Sequence, residues 1–169
     1  MMTSLIEKLI ESPGEETTRR LYEDEKEIFW VDWREDDSYI AEYCEYIINT
    51  GKLFSYWEGD KLFVKYGDNL DEVQLTHTES DRHITLLAIN KILKPEFEVR
   101  LVWDADGGDT GAFAILPSEK WQEYELKYGF DAVSKAFLKL TSDLNTFTDP
   151  LHKHRPGQKS KKAWWQFWR

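Results

Sequence analysis

Cysteine is all but absent from this chain. Cys44 stands alone, so no intramolecular disulfide framework and no cysteine-based metal cluster can form, and a reducing compartment is the simplest setting. Long hydrophobic runs are missing as well. The opening stretch MMTSLIEKLIES scatters Leu5, Ile6, Leu9 and Ile10 among polar residues without a basic leader, so it resembles neither a secretory signal nor a membrane span. No glycine-rich phosphate loop and no Gly-x-Ser-x-Gly elbow occurs. These absences point to a cytoplasmic protein with no cofactor.

Positive charge is scarce everywhere except at one end. The chain has 22 Lys plus Arg against 32 Asp plus Glu, a net −10. From Pro150 onward stand Lys153, Arg155, Lys159, Lys161, Lys162 and Arg169 with no acid, and removing that +6 from −10 leaves −16 for residues 1–149. A body so acidic is repelled by nucleic acid and steers basic proteins toward itself. What is present is core material: 41% hydrophobic residues in a chain of 169, enough for one compact domain.

That domain is expected over residues 1–149, followed at 150–169 by a linker and an aromatic tail, because DPLHKHRPGQKSKK combines breakers with a polar, basic composition. Residues 3–11 read as a short amphipathic helix ended by Pro13 and Gly14. Asp36 and Asp37 are candidate caps for a helix over 38–50, in which Tyr39, Ile40, Tyr43, Tyr46 and Ile47 recur at helical spacing and Gly51 supplies the stop. KLFSYW, KLFVKY and LDEVQL, separated by EGD and GDN, predict a three-stranded meander. DRHITLLAINKIL, capped by Thr78 or Ser80, is apolar on more than one side and predicts a buried central helix. FEVRLVW and GAFAILP predict a hairpin, and helices are expected over 118–127 and 130–141, the last with Phe130, Val133, Phe137 and Leu140 on its core face. The sum is an α+β fold: a largely antiparallel sheet, meander plus hairpin, packed with three to four helices.

The most enzyme-like stretch is VRLVWDADGGDTG, in which a hydrophobic strand runs into Asp104, Asp106 and Asp109. It resembles the first motif of haloacid-dehalogenase-type phosphotransferases, where one carboxylate attacks phosphorus beside a metal. It departs from that motif at Gly108, where Thr or Val is expected, and only about sixty residues follow to supply the later motifs. An EF-hand register fails at Asp109, where the turn needs Gly, and at Ile115, where a bidentate Glu belongs. A hairpin turn through Asp106, Gly107 and Gly108 accounts for the same residues. His77 and His83, six apart, lack the spacing of a zinc pair and fit a capped helix start instead. Cys44 sits between Glu42 and Glu45, whose charge raises a thiol pKa, which argues against a nucleophile.

The acidic, aromatic stretch is more telling. Glu15 to Glu45 holds twelve acids against Arg19, Arg20, Lys26 and Arg34, and within it EIFWVDWREDD gathers Trp30, Asp32, Trp33, Glu35, Asp36 and Asp37. As a strand it would turn Phe29, Val31 and Trp33 to one side and Ile28, Trp30 and Asp32 to the other. Interfaces draw their energy from a few Trp, Tyr or Arg anchors, with surrounding charge setting encounter and selectivity. The other aromatic cluster is the tail, where Lys161, Lys162, Trp164, Trp165, Phe167, Trp168 and Arg169 form a membrane- or partner-docking element. Partial burial of its four rings is worth on the order of 5 to 8 kcal/mol. Ordering six residues costs about 1 to 2 kcal/mol each, so docking is weak and reversible.

DRHITLLAINKIL, EVRLVWDADGGDTGAFAILP and SEKWQEYELKYG together resemble segments of small acidic bacterial proteins that accompany secreted toxins as immunity proteins, over roughly residues 28–140. The resemblance implies a small α+β inhibitor without catalysis that occludes a basic toxin through complementary charge. The expectation is therefore a binding protein for a basic partner. A carboxylate-dependent metal enzyme using Asp104, Asp106 and Asp109, or an adaptor brought to the membrane by its tail, are the alternatives.

Overall fold

The computed structural model describes residues 4–21, 23, 26–103 and 110–151. Asp104, Asp106 and Asp109 and the tail residues Lys161, Lys162, Trp164, Trp165, Phe167, Trp168 and Arg169 lie outside the described residues. Among the described residues two antiparallel sheets and six helices make an α+β fold.

A four-stranded sheet forms the central layer. Its strands are β1 (Ile28–Asp32), β5 (Phe97–Val102), β6 (Thr110–Pro117) and β7 (Phe137–Lys139), in the order β1-β6-β5-β7. Successive side chains in a strand point to opposite faces, and both faces here are apolar. Phe29, Val31, Val99, Leu101, Phe113 and Ile115 build one core. Ile28, Val102, Ala112, Ala114, Leu116 and Phe137 build the other. A sheet buried on both sides must be covered twice, and the sequence supplies the covers.

The second face is covered by α1 (Leu5–Glu11), α5 (Ser118–Tyr128) and α6 (Phe130–Ala136), whose Ile6, Leu9, Trp121 and Val133 are fully buried. Ala112 and Ala114 leave room there for the Trp121 indole, whose Nε1 donates to the Glu98 carbonyl at 2.9 Å. Arg100, pointing the same way, is enclosed at 2% exposure, paired with Glu98 and Glu125 at 2.8 Å each and stacked 4.3 Å from the Trp121 ring. The first face is covered by α3 (Tyr39–Ile48), α4 (Asp81–Leu93) and the meander β2 (Leu53–Glu58), β3 (Lys61–Tyr66) and β4 (Asn69–Glu72). Gly59 and Gly67 take positive φ in the two turns of that meander, a conformation other residues rarely adopt.

Residues 15–21, to which the sequence reading assigned no element, form α2 (Glu15–Leu21), with Leu21 buried in the second core. Three local expectations need correction. The helix expected over 130–141 ends at Ala136, because Phe137, Leu138 and Lys139 pair with Val102, Leu101 and Arg100 of β5. Phe130 is consequently 57% exposed instead of facing the core. The stop of α3 is Asn49 in the left-handed region, φ 48°, two residues before Gly51. Leu151 is buried in the first core, so the folded body runs past Asp149 by at least two residues.

The segment 141–151 is strapped to the body. His83 Nε2 lies 2.8 Å from the Thr141 carbonyl, and Nδ1 faces the Thr146 hydroxyl at 3.1 Å and the Thr146 N–H at 3.3 Å. These partners fit a neutral imidazole with its proton on Nε2. Phe147 packs at a tilt on Phe113, centroids 5.9 Å apart, and lies against Gly111, which stands opposite Val31 in the sheet. Among the described residues no helix is long and apolar enough to cross a membrane.

Candidate interaction surface

Where β1 gives out, the chain turns through Trp33, Arg34, Glu35 and Asp36 before entering α3. Asp32 is held in that turn by Arg34, whose Nε and Nη2 donate to its two oxygens at 3.0 and 2.8 Å. Those bonds, joined by the Arg34 backbone N–H, hold the Asp32 carboxyl down at about 2. Asp36 accepts from the Ser38 N–H at 2.8 Å, the Ser38 hydroxyl at 2.6 Å and Trp57 Nε1 at 3.0 Å. Partial burial pushes its carboxyl up, and these donors outweigh that push, so it titrates below the ordinary range.

Four aromatics stand out of this acidic ground. Trp33 is 50% exposed, Tyr39 47%, Tyr46 73% and Trp57 39%. Tyr39 stacks on Tyr43 at 6.5 Å, and the Glu35 charge in the turn acts on the Tyr43 phenol. Burial and the Glu35 charge raise the Tyr43 phenol, so it stays a neutral donor. Trp57 reaches the same ground from β2 through its bond to Asp36. From Asp32 to Tyr46 the chain carries Asp32, Glu35, Asp36, Asp37, Glu42 and Glu45 against Arg34. The result is an aromatic face on α3 and its entry turn, bordered by carboxylates.

The sequence-derived residues divide on inspection of their surroundings. Trp33, Glu35 and Asp36 lie on this surface, as does Asp32 on its edge. Trp33 belongs to the turn and not to the strand, so it does not share the inward side of Phe29 and Val31. Trp30 points to the opposite face of the sheet from Phe29 and Val31, half-buried against the second core. Asp37 turns inward, at 6% exposure, and its Oδ1 accepts from Arg82 Nη1. Burial raises its carboxyl against the pull of Arg82. It serves as a tie between α3 and α4, and neither it nor Asp36 caps α3 through a side chain; the cap position is Ser38.

The surface also holds residues that sequence reasoning did not assign to it. Of Tyr39, Ile40, Tyr43, Tyr46 and Ile47, which recur at helical spacing, Ile40 is buried, Tyr43 and Ile47 pack partly against the core, and Tyr39 and Tyr46 stand out. Tyr39, Glu42 and Tyr46 recur at i, i+3 and i+7, and an acid inside that stripe is the signal that it faces water. Trp57 carried no such signal, since its place depends on Asp36, twenty-one positions away.

Cys44, His83 and Asp81 serve the fold. Cys44 is buried, and burial together with the Glu45 charge drives its thiol far above the usual range. His83 is enclosed between α4 and the strap, with burial lowering its pKa. Asp81 accepts from the Thr76 and His77 backbone N–H groups at 2.7 and 2.8 Å, which fixes the turn before α4. Among the described residues no group of three or more His, Cys, Asp or Glu is placed to hold a metal ion. Compared with protein-family models, with curated proteins and with solved structures, the chain matches none.

Proposed function

We propose that this chain is a non-enzymatic binding protein, an inhibitor of the bacterial immunity kind, that neutralises a basic protein partner through the surface built by Trp33, Tyr39, Tyr46 and Trp57 among Glu35, Asp36 and Glu42. The observation that carries this reading is the exposure of those four aromatics. An aromatic side chain carries about 150 to 250 Å², so together they present about 400 Å² of ring surface. That is the size of patch that on monomers is often functional, and about half of what one side of a standard interface buries. The charge around it selects the partner: a net −16 over residues 1–149 accelerates encounter with a basic protein and rejects an acidic one.

The test is co-expression with the product of the gene adjacent to this one, followed by titration calorimetry of the purified pair. Trp33→Ala combined with Tyr46→Ala weakens binding at least tenfold, Glu42→Lys slows association, and Leu126→Ala, exposed on α5, changes neither. A complex that forms equally well with all three variants would show that this surface is not the one used.

A further inference from the structure

Two features of the chain face each other in chemistry. The exposed stripe of α3 and its entry turn is aromatic and acidic, with Trp33 50% and Tyr46 73% exposed. Residues 157–169, GQKSKKAWWQFWR, are aromatic and basic, with Lys159, Lys161, Lys162 and Arg169 beside Trp164, Trp165, Phe167 and Trp168. Lysine and arginine bind over Tyr and Trp rings as well as to carboxylates, so the two stretches match in both respects.

The fold ties the stretch that precedes that segment to the elements that carry the surface. The strap 141–151 is tied by Thr146 to His83 in the first turn of α4. The residue before His83, Arg82, holds Asp37, which is next in sequence to Asp36 of the patch. Phe147 packs over Gly111, whose strand partner is Val31, and the next pair in that register is Asp32 with Thr110. Leu151 lies buried in the same core as Val31 and Ile40. The last described stretch of the chain therefore passes over Gly111, the strand partner of Val31, which stands two positions before Trp33 in sequence.

We propose that residues 157–169 dock in cis on the Trp33–Tyr39–Tyr46 face, so that the chain covers its own binding surface until a stronger basic partner displaces the segment. This rests on the reading of that face as the binding surface. Twelve residues separate Leu151 from Trp164. Twelve residues of random-coil dimensions span about 20 Å root-mean-square, and tethering over such a span gives an effective concentration near 1 mM. A segment that binds the face in trans with a dissociation constant of about 100 μM would then occupy it about nine-tenths of the time in cis.

The test uses the full chain and a fluorescein-labelled peptide of sequence GQKSKKAWWQFWR, read by anisotropy. In one variant the tail is neutralised by Trp164→Ser, Trp165→Ser, Trp168→Ser, Lys161→Ser and Lys162→Ser. In a second, the same tail is combined with Trp33→Ala, Glu42→Lys and Tyr46→Ala, all exposed positions, with circular dichroism melting as the check on folding. The peptide binds the tail-neutralised chain about tenfold more tightly than the native chain, and 0.5 M salt weakens that binding. The second variant does not bind it. Equal affinity for native and tail-neutralised chains would overturn the proposal, and so would retention of binding by the folded second variant.

The two readings separate cleanly. A basic protein that needs the face but binds native and tail-neutralised chains alike leaves the proposed function standing and removes cis docking. A peptide that obeys the expected pattern while no basic protein depends on the face does the reverse.

Discussion

Replacing Arg82 with Met tests whether Asp37 is a tie within the fold or a contact for a partner. The Asp37 side chain is 7% exposed and that of Arg82 16%, and they meet through Nη1 and Oδ1. Removing one partner of a buried pair typically costs about 3 to 5 kcal/mol, because the other is left as an uncompensated charge. The partial exposure of Arg82 lets water reach the vacated position, so about 2 to 4 kcal/mol is expected here. For a chain of this size that lowers the melting temperature by roughly 4 to 16 °C.

The pH dependence gives the mechanism away. Burial already raises the folded-state pKa of Asp37, and loss of Arg82 raises it further. For a raised carboxyl, stability is fully present below the unfolded value of about 3.9 and is lost as pH rises through the folded value. Arg82→Met is therefore more damaging at pH 7 than at pH 4, and adding Asp37→Asn recovers at least half of the loss at pH 7. Urea denaturation at both pH values measures this, and the double variant keeps its affinity for a partner. A loss under 1 kcal/mol, an equal loss at both pH values, or a double variant worse than the single one would refute the reasoning.

Three further outcomes are expected. The depressed pKa of His83 means stability is intact above the unfolded value of about 6.5 and falls as pH drops from there toward the folded value, so His83→Gln flattens the decline in urea midpoint between pH 7.5 and 5.5. Gly111→Ala places a Cβ 2.9 Å from Phe113 Cε2 in a filled core and costs about 1 to 3 kcal/mol, with partial rescue by Phe113→Leu, read by thermal melts. Arg100→Ala leaves Glu98 and Glu125 without their buried counter-charge and costs about 3 to 5 kcal/mol by chemical denaturation, whereas Leu126→Ala stays within about 0.5 kcal/mol.

Legibility followed sequence distance. The meander β2-β3-β4 could be read because its turns carry Gly59 and Gly67, and the β5–β6 pair because both runs are rich in strand formers. α6 could not be separated from β7, since no breaker stands between Ala136 and Phe137, and what ends the helix is pairing with a strand some thirty-five positions earlier. Which of the α3 aromatics meet solvent was not legible for a related reason. Tyrosine is amphipathic, so its helical spacing marks a stripe without saying whether the stripe meets the core or the solvent. Trp33, Glu35 and Asp36 were legible as a surface because charge crowded around an aromatic is costly to bury. Asp37, adjacent and identical in chemistry, goes inward only because Arg82 waits there, and no local pattern carries that information.

The three-residue strand β7 closes one side of the central sheet, and its brevity has a colloidal consequence. An open sheet edge is a template on which a second molecule can add a strand. Here the template is only Phe137, Leu138 and Lys139, with the Lys139 ammonium paired to Glu125 at 3.2 Å and lying 5.4 Å from the Phe130 ring. Three positions ending in an engaged cation offer too few backbone groups for an incoming strand to register against. Lengthening this edge by design, or exchanging Lys139 for an apolar residue, would open a route to end-on fibres that the present arrangement blocks.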